Sequence, residues 1–193
     1  MARPRQFERE TVLDRAMQTF WCQGYHATSV QDLVDAMGIN RGSLYHAFGD
    51  KHGLFMAVLD HYGGAVRDRW LAELDRPGSA RGAISRFFAR LGDFAAADQR
   101  RRGCLMCNSA VELAPHDPEV AAKLTAGFAA IETGFLRALM RAQRQGEIGE
   151  SRDLRALARF LTASLQGLLV IAKAVPDRAL LKDMVDQILS VLE

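Results

Sequence analysis

Little in this sequence points toward secretion, a membrane or a β-sheet. No apolar run approaches the roughly 20 residues that a membrane-spanning helix needs. The opening MARPRQFERE has no apolar signal-peptide core, so the expected location is the cytoplasm. The three cysteines, Cys22, Cys104 and Cys107, are too few and odd in number for a secreted disulfide framework. There is no Asn-Gly hairpin turn and no sustained period-two alternation, which argues against strands. Sequence repeats and low-complexity segments are also missing. No charge sign dominates: 25 Lys/Arg face 23 Asp/Glu, a formal net charge of +2. Residues 1–52 are themselves balanced, with Arg3, Arg5, Arg9, Arg15, Arg41 and Lys51 against Glu8, Glu10, Asp14, Asp32, Asp35 and Asp50. Affinity for a polyanion would therefore have to come from where the charges sit, not from their sum.

What is present is 193 residues that are 49% apolar and 25% charged, enough to bury a core in one large domain or two small ones. The apolar spacing is helical almost throughout and predicts about nine helices: residues 7–23, 28–37, 41–47, 51–74, 80–97, 104–113, 118–145, 154–174 and 179–192. Val12, Leu13, Ala16, Met17 and Phe20 form the buried stripe of the first, which Gly24 ends; Cys22 is expected there as a half-buried, inert thiol. Arg3 and Arg5 flank Pro4, which predicts an extended N-terminal arm. Gly63-Gly64 weakens the fourth helix by about 1 kcal/mol per residue relative to alanine and marks a bend. Ser79 caps the fifth helix, and Asp117 with Pro118 opens the seventh. The last two helices carry apolar residues on more than one face. Leu154, Leu157, Leu161, Leu165 and Leu168 make one row, while Phe160, Leu169 and Val170 lie off it, so a second partner is expected.

Residues 28–51, TSVQDLVDAMGINRGSLYHAFGDK, organise the chain. Thr28 and Gln31 fit a capping box. Val30, Leu33, Val34 and Met37 make an apolar stripe, Gly38 stops the helix, and Asn40 caps the next. That next helix is short: Leu44 and Phe48 can anchor it, while Arg41, Ser43, Tyr45 and His46 face outward. This is a helix-turn-helix, whose second helix suits a major groove. Gly42 and Ser43 are small enough for close approach to base edges. Arg41 and Lys51 can neutralise phosphates, and the Thr28 hydroxyl with the free backbone N–H groups of a helix start suits an anion. Tyr45 and His46 can hydrogen-bond phosphate oxygens, and Asn40 can share the reading of bases.

The run GINRGSLYHAFGDKHGLF resembles the signature of the TetR family of bacterial repressors. The resemblance is close over about the first 60 residues. It implies an all-α protein: a three-helix DNA-binding domain, residues 1–50, and a helical ligand-sensing and dimerisation domain, residues 51–193. It implies a homodimer, joined here through the last two helices, on a palindromic double-stranded operator.

A second stretch, RRRGCLMCN, places Cys104 after three arginines and a glycine at a predicted helix start. Positive charge and free backbone N–H groups both favour a thiolate, the form that electrophiles and oxidants attack. Cys107 lies one turn on and can resolve a sulfenic acid. The GCLxxN pattern followed by ELAPHDPEV resembles a branch of the family that senses electrophiles or oxidants through this cysteine. Lys173, the only charge between Arg159 and Asp177, either snorkels outward or sits near Cys104. Phe87, Phe88 and Phe128 are expected around the sensor. Three alternatives remain: a reversible apolar inducer with structural cysteines, a ligand carrier that keeps only the fold, and a CxxC thiol oxidoreductase. The last lacks the preceding strand that such enzymes use. His116 and Asp117 have no partner at ligand spacing, so no metal is expected. No cofactor and no catalytic residue are expected either.

Overall fold

The computed structural model describes residues 3–193, with side chains from Arg9 onward. The described residues form nine helices and no strand: α1 (Arg3–Gln23), α2 (Val30–Met37), α3 (Arg41–Phe48), α4 (Lys51–Val66), α5 (Ala80–Ala97), α6 (Leu105–Glu112), α7 (Pro118–Arg144), α8 (Leu154–Ala174) and α9 (Arg178–Ser190). α4 runs on through a π turn, Arg67–Leu71, and a last α turn, Ala72–Leu74. The first helix begins at Arg3 rather than Phe7, since proline is tolerated in a helix's first turn. Arg3 to Arg5 thus open the helix and do not form the expected extended arm; where the two arginine side chains reach lies outside the described residues. Cys22 is exposed rather than half buried.

The chain divides into two compact units. One runs through Ala65 and takes in Asn108–Lys123; the other holds Val66–Cys107 and Leu124–Glu193. In the first unit, Leu13, Ala16, Met17 and Phe20 of α1 are buried, with Leu33, Val34 and Met37 of α2, Leu44 of α3, and Leu54, Phe55, Val58 and Leu59 of α4. Phe20 meets Phe55 edge-on at 5.0 Å, and Trp21 meets Tyr62 at 5.1 Å.

The cap of α2 sits one residue later than the sequence suggested. Ser29, not Thr28, is the N-cap, and its hydroxyl and Asp32 complete the box. Thr28 is fully buried, and its hydroxyl donates to the Gly24 carbonyl at 2.6 Å. Both Thr28/Gln31 and Ser29/Asp32 fit the motif; a carboxylate makes the stronger charge-assisted bond, and it wins.

In the second unit, α5 packs against α8 and α9. Phe87 and Phe88 are buried on Phe135, with ring centroids 5.2 and 5.7 Å apart. They fill the core, while Phe128 is half buried. α4 keeps α geometry through Gly63 and Gly64, because glycine lowers helix propensity without forbidding the helix. The departure comes at Arg67–Leu71, where Trp70 packs edge-on against Phe94 and Phe87.

α8 corrects the expectation about apolar runs. It is 21 residues long with a mean hydropathy of 1.4, enough by length and composition to cross a membrane. Its inner face, Leu161, Leu165, Leu168, Leu169 and Ala172, is buried in this unit. Phe160, Val170 and Ile171 of α8 are exposed, as are Val175 beyond it and Leu180 of α9.

Glu73 is the buried charge of this unit. Its side chain is 1% exposed and meets Arg90 at 2.7 Å, Arg86 at 2.9 Å and Arg76 at 3.2 Å. Burial opposes its ionisation, but the Arg86 hydrogen bond, the Arg76 charge and the Arg90 hydrogen bond outweigh that and hold it below the usual carboxylate range. A depressed pKa contributes stability above the unfolded value, and that stability is lost as pH falls through the folded one. Glu73→Gln should therefore lower stability near neutrality by roughly 1–3 kcal/mol, less than a fully buried pair because the arginines are half exposed. The gap between variant and wild type should close as pH drops below about 4. Denaturant melts at pH 7 and pH 3 read this directly; a gap unchanged at pH 3 contradicts it.

Candidate nucleic-acid interface

The geometry of α3 is set by its two ends and one anchor. Gly38 closes α2 in the left-handed region, φ 69°, with its N–H on the Val34 carbonyl. Asn40 is extended and accepts from the Ser43 N–H at 2.8 Å. A side chain at position 42 would approach the Asn40 amide oxygen at 3.3 Å, so Gly42 makes room for this cap. Leu44 is fully buried, and Gly49, φ 82°, ends the helix with its N–H on Tyr45.

With Leu44 inward, Asn40, Arg41, Gly42, Ser43, Tyr45 and His46 are all exposed along α3 and its cap. Six of the eight residues expected to meet DNA are thus brought together; the other two are not. Thr28 is buried as described. The Lys51 ammonium lies 4.4 Å above the Tyr25 ring, and desolvation pulls its pKa down against the charges of Glu112 and Asp32. It is half buried, against Tyr25 rather than on the outer face of α3.

Two cations escaped the sequence reading. Arg9 and Arg15 line a groove with Ile39, Ser43, His46 and Phe48. The Arg9 guanidinium lies 5.7 Å from the Phe48 ring, and Arg15 donates to the Met37 carbonyl at 3.3 Å.

The second stretch forms the start of α6, in the other unit. Gly103 has φ 68°, and a Cβ there would meet the Leu169 carbonyl at 3.3 Å and Lys173 at 3.4 Å. Cys104 is 5% exposed and immediately precedes α6; Cys107 is half buried. Arg102 is paired with Asp98 at 3.2 Å, which offsets one of the three arginine charges. Lys173 is exposed, so it snorkels, yet it lies beside Gly103 and its charge is felt at Cys107. Burial raises the Cys107 thiol pKa more than Lys173 lowers it. Asp117 caps α7 through the Val120 N–H at 3.0 Å and meets His52 at 2.9 Å, while His116 is exposed.

A left-handed glycine turn between a capped helix and a short helix with a polar outer face defines a helix-turn-helix DNA-binding protein. Residues 12–58 match the family model for bacterial regulatory proteins of the tetR family, and residues 78–188 match the tetracyclin repressor-like C-terminal domain. The chain is 39% identical to the uncharacterized HTH-type transcriptional regulator YezE of Bacillus subtilis (strain 168), with both proteins covered at 100%. It is 36% identical to the HTH-type transcriptional repressor ComR of Escherichia coli (strain K12), over 89% of this chain and 82% of that one. It also resembles the TetR-family regulator CifR, solved as a cysteine mutant with 26-bp operator DNA. The TM-score is 0.85 and the identity 34%, covering 94% of this chain and 95% of that one. The chain belongs to the tetR family of bacterial regulatory proteins.

The thiols should react in the order of their surroundings. Cys22, exposed, should be alkylated first at neutral pH, and Cys107 should need a pH above the ordinary thiol range, near 8.5. Timed N-ethylmaleimide labelling with peptide mapping at pH 7 and pH 9 reads the order; Cys107 labelled ahead of Cys22 at pH 7 contradicts it.

Proposed function

We propose that this TetR-type DNA-binding transcriptional repressor works in the cytoplasm as a homodimer on a palindromic operator, and leaves it when Cys104 is modified. The observation that carries the DNA contact is the outer face of α3. Arg41, Ser43, Tyr45 and His46 are exposed together, and Leu44 anchors the opposite side. Small Gly42 and Ser43 permit close approach to base edges, while Arg41, Tyr45 and His46 offer donors to phosphates. Arg9 and Arg15 extend the cationic rim, in line with a contact that relies on local charge in a head without net charge.

The second apolar face of α8 and α9 supports the dimer. Phe160, Val170, Ile171, Val175 and Leu180 are exposed in the single chain although Leu161, Leu165 and Leu168 of α8 already pack inward. A second copy covers that face in a four-helix arrangement and places the two α3 helices about one DNA turn apart, ~34 Å or somewhat more.

Release through Cys104 rests on its position before the first turn of α6, next to Gly103, which lies beside Lys173, with Cys107 one turn on. A second reading is favoured by burial. Cys104 is 5% exposed and the Cys107 thiol is pushed up, which suits structural cysteines and a reversible apolar inducer that repacks Phe87, Phe88 and Phe128. A few kcal/mol of preference for the released state is enough on either route.

A mobility-shift titration on the DNA upstream of the protein's own gene separates these readings. Wild type should bind in reducing buffer and release with hypochlorite or N-ethylmaleimide, and Cys104→Ser should stay bound. Release of that variant at wild-type doses removes Cys104 as the sensor and leaves the reversible inducer. Arg41→Ala should weaken binding and lower the salt slope by about one per subunit; binding at wild-type strength would count against the α3 face.

A further inference from the structure

α1 ends at Gly24, which takes the left-handed region at φ 86°. Its N–H bonds the Phe20 carbonyl, and its own carbonyl accepts the Thr28 hydroxyl. The next two N–H groups, of Tyr25 and His26, face the same side. Successive amides after a left-handed residue make a small anion-binding hollow. The anion in it is supplied from within the same compact unit, 86–87 residues further along the chain. Glu112 Oε2 accepts from the Tyr25 N–H at 3.0 Å, and Oε1 from the His26 N–H at 2.7 Å. The fit is close: a Cβ at Gly24 would stand 3.0 Å from Glu112 Oε2.

The Tyr25 ring also pins the turn. It lies 4.9 Å from Phe55 and 5.9 Å from Phe20, under the Lys51 ammonium. Glu112 is the last residue of α6, and the stretch after it is held to α4 by His52–Asp117 at 2.9 Å and by the Lys123–Asp60 ion pair. Three residues beyond His26, Ser29 caps α2, whose left-handed stop at Gly38 leads directly into α3. The Tyr25–His26 turn therefore fixes where the helix-turn-helix leaves α1, and both of its free amides end on one carboxylate.

We propose that Glu112 is a positioning residue of the DNA-binding head: seated on the Tyr25 and His26 N–H groups, it sets the angle at which α2 and α3 leave α1, and it passes any shift of the α6–α7 connection to α3. The DNA part of this inference rests on the function proposed above; the positioning part does not. Two charge-assisted hydrogen bonds on adjacent amides are strong enough to hold a turn that neither helix controls. An acceptor moved away leaves both amides to solvent and the turn to its own flexibility.

The test uses the full-length protein with Glu112→Ala, Glu112→Gln and Arg41→Ala. Amide hydrogen exchange without DNA should speed up about tenfold or more at Tyr25 and His26 in Glu112→Ala. Protection in α5 and α9 should stay at its wild-type level. Operator affinity by fluorescence anisotropy should fall by a similar factor. Glu112→Gln, which keeps an acceptor without the charge, should recover part of both. Wild-type exchange at Tyr25 and His26 in Glu112→Ala overturns the proposal, and so does faster exchange with unchanged operator affinity. Protection lost throughout Glu112→Ala would show a folding defect, and Glu112→Gln then decides by the same two readings. If wild type and Arg41→Ala bind DNA alike, the DNA reading fails, and the exchange data alone still judge Glu112.

Discussion

An eight-residue helix cannot hold itself together in water, since isolated helices shorter than about 12–15 residues are marginal. α3 has eight residues, yet the proposed DNA contact depends on it. Its stability must be borrowed, and the lenders are few: the Asn40 cap, the left-handed stops at Gly38 and Gly49, and Leu44 buried completely in the unit. This constraint shapes the outer face as well. Because one leucine and two ends fix the helix, the positions between them are free of packing duty and can carry arginine, serine, tyrosine and histidine.

The same economy resolves the puzzle of a DNA-binding head without net positive charge. Several acids of the head are already in use as caps and partners. Asp32 completes the α2 box, Asp50 accepts from the Gly53 N–H at 2.7 Å at the start of α4, and Asp14 meets His61 at 2.7 Å. Asp35 accepts from Gln31 at 2.8 Å. An acid at a helix N-terminus is offset by the local dipole and adds little repulsion toward a phosphate elsewhere. Arg9, Arg15 and Arg41 collect on and beside α3, so the charge that a phosphate would meet there is local and positive although the sum is not.

Much of this was legible because it is local. Gly38 and Asn40 announce a stop and a start by residue type alone, as do Ser79 before α5 and Asp117 before α7, each within three residues of the groups it satisfies. The slip at Thr28 came from two overlapping matches to one local rule, decided by a buried hydroxyl that no local rule reports. What could not be read is long-range. Nothing in the sequence around Lys51 shows that the Tyr25 ring lies beneath it. Phe87 and Phe88 look like a free aromatic cluster until both are found buried on Phe135. Nothing in ELAPHDPEV shows that Glu112 closes a turn 86 residues earlier, because a carboxylate at a helix end has many uses and spacing cannot choose among them.

α8 shows why composition alone is ambiguous. One apolar helix of 21 residues reads equally as a membrane span, a core helix or an interface helix. Packing removes much of that ambiguity, since one face already faces the core of its own unit while Phe160, Val170 and Ile171 remain outside. Against lipid, Arg159, more than one turn inside the helix, would be costly, whereas Arg155 and Lys173 sit at its ends; against a second copy all three can stay at the rim. In the proposed dimer the two α3 helices are bound to one operator by the same symmetry. A change that weakens one α3 contact by about 1.4 kcal/mol, tenfold, weakens the pair by about a hundredfold. A modest displacement at one turn of each head is therefore enough to empty an operator, and the sensing chemistry need not unfold anything to do so.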